Sequence, residues 1–153
     1  MLGLSLSFQY PNLSLVEIEN FLQSICIEAE RVINSDACNI IILSDREVDQ
    51  NNIAIPALLA TSSVHHHLIK KGLRTKVGLI IETGEARRVH DMCLLSGYGA
   101  EAINPYLAFD TITNLLDENN FDISAEVSQI KYVKALNKGM LKVMSKMGIS
   151  TFQ

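Results

Sequence analysis

Asn39-Ile40-Ile41-Ile42-Leu43-Ser44-Asp45-Arg46 is the stretch on which the fold turns. It runs four large aliphatic residues together, three of them β-branched, and stops at a polar triplet. So short an uninterrupted apolar run fits a strand buried on both faces, as in a parallel sheet. A second run, Lys76-Val77-Gly78-Leu79-Ile80-Ile81, repeats the pattern and ends at Glu82-Thr83-Gly84. Between the two, Pro56 sits well in the first turn of a helix reaching about Lys71, with Gly72 as its C′ residue. Ser44 to Asn52 is a polar connection.

Upstream, Leu4, Leu6 and Phe8 alternate with polar residues as in a half-buried strand, which Pro11-Asn12 breaks. Ser14 and Glu17 have the spacing of a capping box. Val16, Ile18, Leu22, Ile25, Cys26, Ala29, Val32 and Ile33 then recur at helical spacing as far as Asn34-Ser35. Downstream, the Glu82-Thr83-Gly84 turn leads into a helix from about Glu85 to Leu95, closed by Gly97 and Gly99. Ala102-Ile103 makes a very short fourth strand. Asn104-Pro105 opens a helix over Tyr106 to Leu116, and a final helix runs from about Ala125 towards Met147. Strand and helix alternate, so the fold class is α/β: a mostly parallel sheet with right-handed crossovers, helices packed on it and a helical C-terminal tail.

The chain has 153 residues, 48% of them hydrophobic and 20% charged, which suits one well-buried domain. Thirteen Lys and Arg against 17 Asp and Glu leave a net charge of -4 with no polybasic cluster, so no nucleic-acid or membrane-surface partner is expected. Cys26, Cys38 and Cys93 are odd in number and widely spaced, which points to buried thiols in a reducing compartment. No apolar run approaches the ~20 residues of a membrane helix, and Met1 to Ser5 lacks a signal peptide's cationic start. The reading is a soluble intracellular chain that looks cut at Thr151-Phe152-Gln153.

In a parallel sheet the loops after the strands gather at one edge, where ligands usually bind. Two such loops carry charge: Ser44, Asp45 and Arg46 after the first run, and Glu82, Gly84 and Arg87 after the second. One reading is a polar crevice, with the Gly84 turn and Arg46 or Arg87 offered to a small anion or a flavin phosphate. The other is an Asp/Glu–Arg network that fixes the two loops and caps the Glu85 helix; Glu82 and Glu85 favour it, since they already complement a helix N-terminus. Neither GxGxxG nor a P-loop signature is present. His65-His66-His67 is not expected to make a metal site by itself, because successive helical residues are turned by about 100° and three adjacent rings diverge; a metal would need His90 or a carboxylate brought in from elsewhere. No cysteine has a neighbouring base in sequence, so no catalytic residue is assigned. In the last helix Leu141, Met144 and Met147 form an apolar stripe beside a Lys138, Lys142, Lys146 row.

Taken together, several of these segments resemble the central domain of glutamate synthase. They are Ile42-Leu43-Ser44-Asp45-Arg46, Ile55-Pro56-Ala57-Leu58-Leu59-Ala60 and Val64-His65-His66-His67-Leu68-Ile69. The likeness continues through Gly72-Leu73-Arg74-Thr75, Glu82-Thr83-Gly84-Glu85-Ala86-Arg87 and Gly97-Tyr98-Gly99-Ala100. It ends on Ala102-Ile103-Asn104-Pro105-Tyr106-Leu107 and Lys142-Val143-Met144-Ser145-Lys146-Met147-Gly148-Ile149-Ser150-Thr151, and so spans about Ser14 to Gln153.

The resemblance implies a non-catalytic scaffold within a flavoenzyme that makes two glutamates from glutamine and 2-oxoglutarate. Its partners would be the amidotransferase and FMN-binding domains of the same chain, and its reductant ferredoxin or an NAD(P)H-linked subunit. FMN and a [3Fe–4S] cluster are implied for the parent enzyme, none for this chain, in the cytoplasm or the plastid stroma. Residues 1–137 would be the C-terminal part of the central domain and 138–153 the start of the connection into the FMN domain. No catalytic or cluster-binding motif of the family falls on this sequence, so the isolated chain is expected to be inactive.

Overall fold

The structure is a computed structural model and describes residues 3–7, 9–10, 15–36, 38–50, 52–119 and 121–151. Among the described residues six strands and five α-helices follow one another as β1 (Gly3–Ser7), β2 (Gln9–Tyr10), α1 (Leu15–Asn34), β3 (Ile40–Ser44), β4 (Ile53–Ala54), α2 (Ala57–Lys70), β5 (Gly78–Glu82), α3 (Val89–Gly97), β6 (Ala102–Asn104), α4 (Tyr106–Asn119) and α5 (Ala125–Met147). β1, β3, β5 and β6 form one wholly parallel sheet in that order, and β2 and β4 make a separate antiparallel pair. The class is therefore α/β with a parallel sheet.

The main sheet grows by one strand on the same side at each step. Right-handed crossovers repeated in one direction lay every connecting helix on the same face. α1 accordingly packs on α2, and α2 on α3. This corrects the expectation that Ile40–Leu43 is buried on both sides. Ile41 and Leu43 of β3, with Leu79 and Ile81 of β5, are wholly buried beneath the helices, whereas Ile40, Ile42 and Ile80 on the opposite face are half-buried. Sequence alone reads an all-apolar run as two-sided burial; here the one-way winding puts the three connecting helices α1, α2 and α3 on a single face.

The core joins Ile25, Ala29 and Ile33 of α1, Ala60, Val64 and Leu68 of α2, and Met92 and Leu95 of α3 to those strands. Small residues on α1 and α2 let the helices lie close on the aliphatic sheet. Cys26 is buried in this core and burial pushes its thiol up, while Cys38 and Cys93 are only half-buried. α5 is attached through Leu136, which is buried, and through the Tyr132 hydroxyl, which donates to the Arg87 carbonyl at 2.8 Å.

Most element boundaries fall near their expected places; three do not. Arg74–Lys76 is a single 3-10 turn, so β5 starts at Gly78. α3 starts at Val89 instead of Glu85, because the Asp91 carboxylate accepts the Arg87 and Arg88 amides and sets the first turn there. α4 also continues past Leu116 to Asn119. The expected Ser14 cap lies outside the described residues. Leu141 and Met147 of the α5 stripe are exposed, 64% and 69%, so only Met144 of the three is partly covered.

Candidate functional site

The carboxyl ends of β3, β5 and β6 come together in register, with Ser44 beside Glu82 and Glu82 beside Asn104. Parallel pairing thus delivers three polar side chains to one point of the edge. Glu82 is their centre: Ser44 Oγ donates to Oε2 at 2.6 Å, Arg46 Nε to Oε1 at 2.8 Å and Asn104 Nδ2 to Oε1 at 3.1 Å. Partial burial raises the Glu82 carboxyl, but the Ser44 and Arg46 hydrogen bonds outweigh it and hold the group below the usual carboxylate range.

Asp45 is the deeper carboxylate, 3% exposed. It accepts the Thr83 hydroxyl at 2.6 Å and the Gly84 amide at 3.1 Å. Thr83 Oγ1 in turn accepts the Glu85 amide at 3.1 Å, so the β5 loop is fastened to the β3 loop by a chain of bonds. Gly84 is needed for close approach: a Cβ there would meet the Tyr106 hydroxyl at 3.2 Å and Leu107 at 3.4 Å. The Tyr106 phenol is pushed up to about 12, first by burial and then by the Asp45 carboxylate. Its ring carries the Arg46 guanidinium 4.2 Å from the centroid, a cation–π contact.

Five of the six residues picked out in the sequence therefore meet: Ser44, Asp45, Arg46, Glu82 and Gly84. Arg87 does not join them through its side chain; its backbone serves α3 and α5 instead. Glu85 also has a different use from the one expected: its carboxylate accepts the Ala57 amide at 2.8 Å and so caps α2. Thr83, Asn104 and Tyr106 complete the cluster. Asn104 and Tyr106 follow the short fourth strand, so the rule that gathers post-strand loops at one edge pointed to them as well.

A second polar cluster lies at the amino edge. Arg74, whose side chain is 14% exposed, donates to His65 Nδ1 at 3.0 Å, the Val77 carbonyl at 2.8 Å, the Gly99 carbonyl at 2.8 Å and Glu101 at 2.9 Å. These groups line an open cavity of about 530 Å³. Burial, then the Arg74 charge, pushes the His65 imidazole down. Gly99 has φ +109, and the His65 ring occupies the place a Cβ would take. His66 turns back to the Ser62 carbonyl and His67 reaches Glu30 at 2.9 Å, so the three rings serve three different partners. Among the described residues no three His, Cys, Asp or Glu side chains are placed to hold a metal ion.

Sheet order, core and edge cluster define a singly wound α/β module whose polar edge is internally bonded. The family model for the glutamate synthase central domain matches residues 3–153. The chain is 50% identical over 137 residues to the NADPH glutamate synthase large chain of Bacillus subtilis, a match covering 90% of this chain and 9% of that one. It is 43% identical over 134 residues to the NADH glutamate synthase of Schizosaccharomyces pombe, covering 86% and 6%. Against the chloroplastic ferredoxin-dependent glutamate synthase of Spinacia oleracea it is 36% identical over 145 residues, covering 87% and 9%. The chain belongs to the glutamate synthase central domain family. It spans less than a tenth of the length of these three relatives. No helix among the described residues is long and apolar enough to cross a membrane.

Proposed function

We propose that this chain is the scaffold part of a glutamate synthase, linking an amidotransferase domain to an FMN-binding synthase domain and performing no chemistry itself. The observation that carries this reading is the carboxyl edge, where ligands of parallel sheets usually bind. Its carboxylates, hydroxyls and Arg46 are bonded to one another. Such an edge is built to hold loops in place. FMN, the [3Fe–4S] cluster and the site for ferredoxin or an NAD(P)H-linked subunit belong, on this reading, to other parts of the parent polypeptide. Residues 138–153 lead into the synthase domain, and the host compartment is the cytoplasm or the plastid stroma.

Two measurements test the reading. An antibody raised against residues 119–128 should detect a native polypeptide far larger than 17.0 kDa. The isolated 153-residue chain, given glutamine, 2-oxoglutarate and reductant, should form no glutamate. Glutamate formation by the isolated chain, or a native band at 17.0 kDa, overturns the proposal. In the second case the Ser44–Arg46 and Glu82–Arg87 loops become a candidate small-anion or flavin-phosphate site, tested by calorimetry with FMN.

A further inference from the structure

The main sheet adds a strand on the same side at each step, and β6 is its last member. After α4 the chain continues as α5 instead of returning as a strand, so the next position beside β6 is vacant among the described residues. Asn104 accepts the Thr83 amide, so its backbone faces β5. Strand backbone groups alternate in direction, which turns the Ile103 N–H and C=O outward. Next to this edge lies an open groove of about 450 Å³, walled by Met92, Ile103, Phe109, Leu136, Met140 and Met144. Three methionines make an adaptable apolar wall, and the adjoining Leu141 is exposed.

We propose that this groove and the free edge of β6 receive an extended apolar segment of the same polypeptide from outside these 153 residues, pairing with Ile103 as a fifth parallel or antiparallel strand. The inference rests on the scaffold reading above. A helix would not serve at the edge, since its own backbone groups are already bonded to one another. A strand satisfies the Ile103 amide and carbonyl while sending alternate side chains against the methionines. The occupant is intramolecular because the relatives carry more than nine-tenths of their length outside the matched region. A tethered segment competes at about millimolar effective concentration against any free partner.

The test uses the native full-length polypeptide carrying Leu141→p-benzoylphenylalanine, prepared as a mixture of ¹⁴N- and ¹⁵N-labelled protein and irradiated. The expected products join α5 to a peptide outside residues 1–153, each of a single isotope composition. In parallel, the backbone amide of Ile103, which no β5 group bonds, should exchange with deuterium slowly. Mixed-isotope cross-links would make the occupant a second copy and overturn the proposal. So would cross-links to another protein, an absence of cross-links, or rapid exchange of the Ile103 amide. The size and glutamate-forming activity of the same preparation are measured alongside. If they remain those of a glutamate synthase while the cross-links fail, only the groove assignment falls.

Discussion

The two edges of the main sheet hold their loops by different means. At the carboxyl edge, Glu82 collects bonds from Ser44, Arg46 and Asn104 while Asp45 collects those of Thr83 and Gly84, so the connections are shared between two carboxylates. At the amino edge a single guanidinium, Arg74, ties His65, Val77, Gly99 and Glu101 together. A distributed network loses part of its hold when one member goes, whereas a single tie loses all of it. Amino-edge substitutions should therefore be the more damaging, although nothing in the composition of that edge marks it as special.

The sharpest break of this comparison is Gly99→Ala. Its backbone lies in the left-handed region and the His65 ring fills the Cβ position, so strain and displacement of His65 add. A loss of about 3 kcal/mol in urea unfolding is expected. Asp45→Ala should come next, at about 2 kcal/mol, since it orphans the buried Thr83 hydroxyl and the Gly84 amide. If Asp45→Ala proved the costlier of the two, the contrast between the edges would be reversed.

The two edges also respond to different ranges of pH. His65 titrates below its ordinary value of 6.5 in the folded chain, so the unfolded chain binds the extra proton first. Its contribution is complete above 6.5 and is lost as pH falls from there through the depressed native value. His65→Asn, which keeps an acceptor for Arg74, should flatten that part of the stability curve. Glu82 is also depressed, so its contribution is present above the ordinary 4.5 and disappears as pH falls below it. Denaturant titrations from neutral to acid pH should show the amino edge weakening first. A curve for His65→Asn parallel to the parent's would remove the histidine from the account.

The smallest effect expected is that of Arg46→Ala. Its side chain is 47% exposed, and solvent screens its ion pair with Glu82. A change under about 1 kcal/mol is predicted by the same urea measurement. A much larger loss would mean that the Tyr106 stacking, rather than the ion pair, fastens α4 to the edge.

The sequence by itself determined the order of the four main-sheet strands and of the helices, the parallel character of that sheet and the gathering of the Ser44–Arg46 and Glu82–Gly84 loops at one edge. Each of these follows from apolar periodicity, glycine and proline punctuation, or the rule that post-strand loops share an edge. It did not mark the short β2–β4 pair. Only the tertiary structure decided which face of Ile40–Leu43 was covered, since the winding direction of successive crossovers is not written in any one segment. It likewise moved Glu85 from its own neighbourhood to the N-terminus of α2, 28 residues away. It also gave Arg74 four partners that lie between three and 27 residues distant. Hydrogen bonds of that range are set by which elements pack together, and sequence spacing carries no direct record of them.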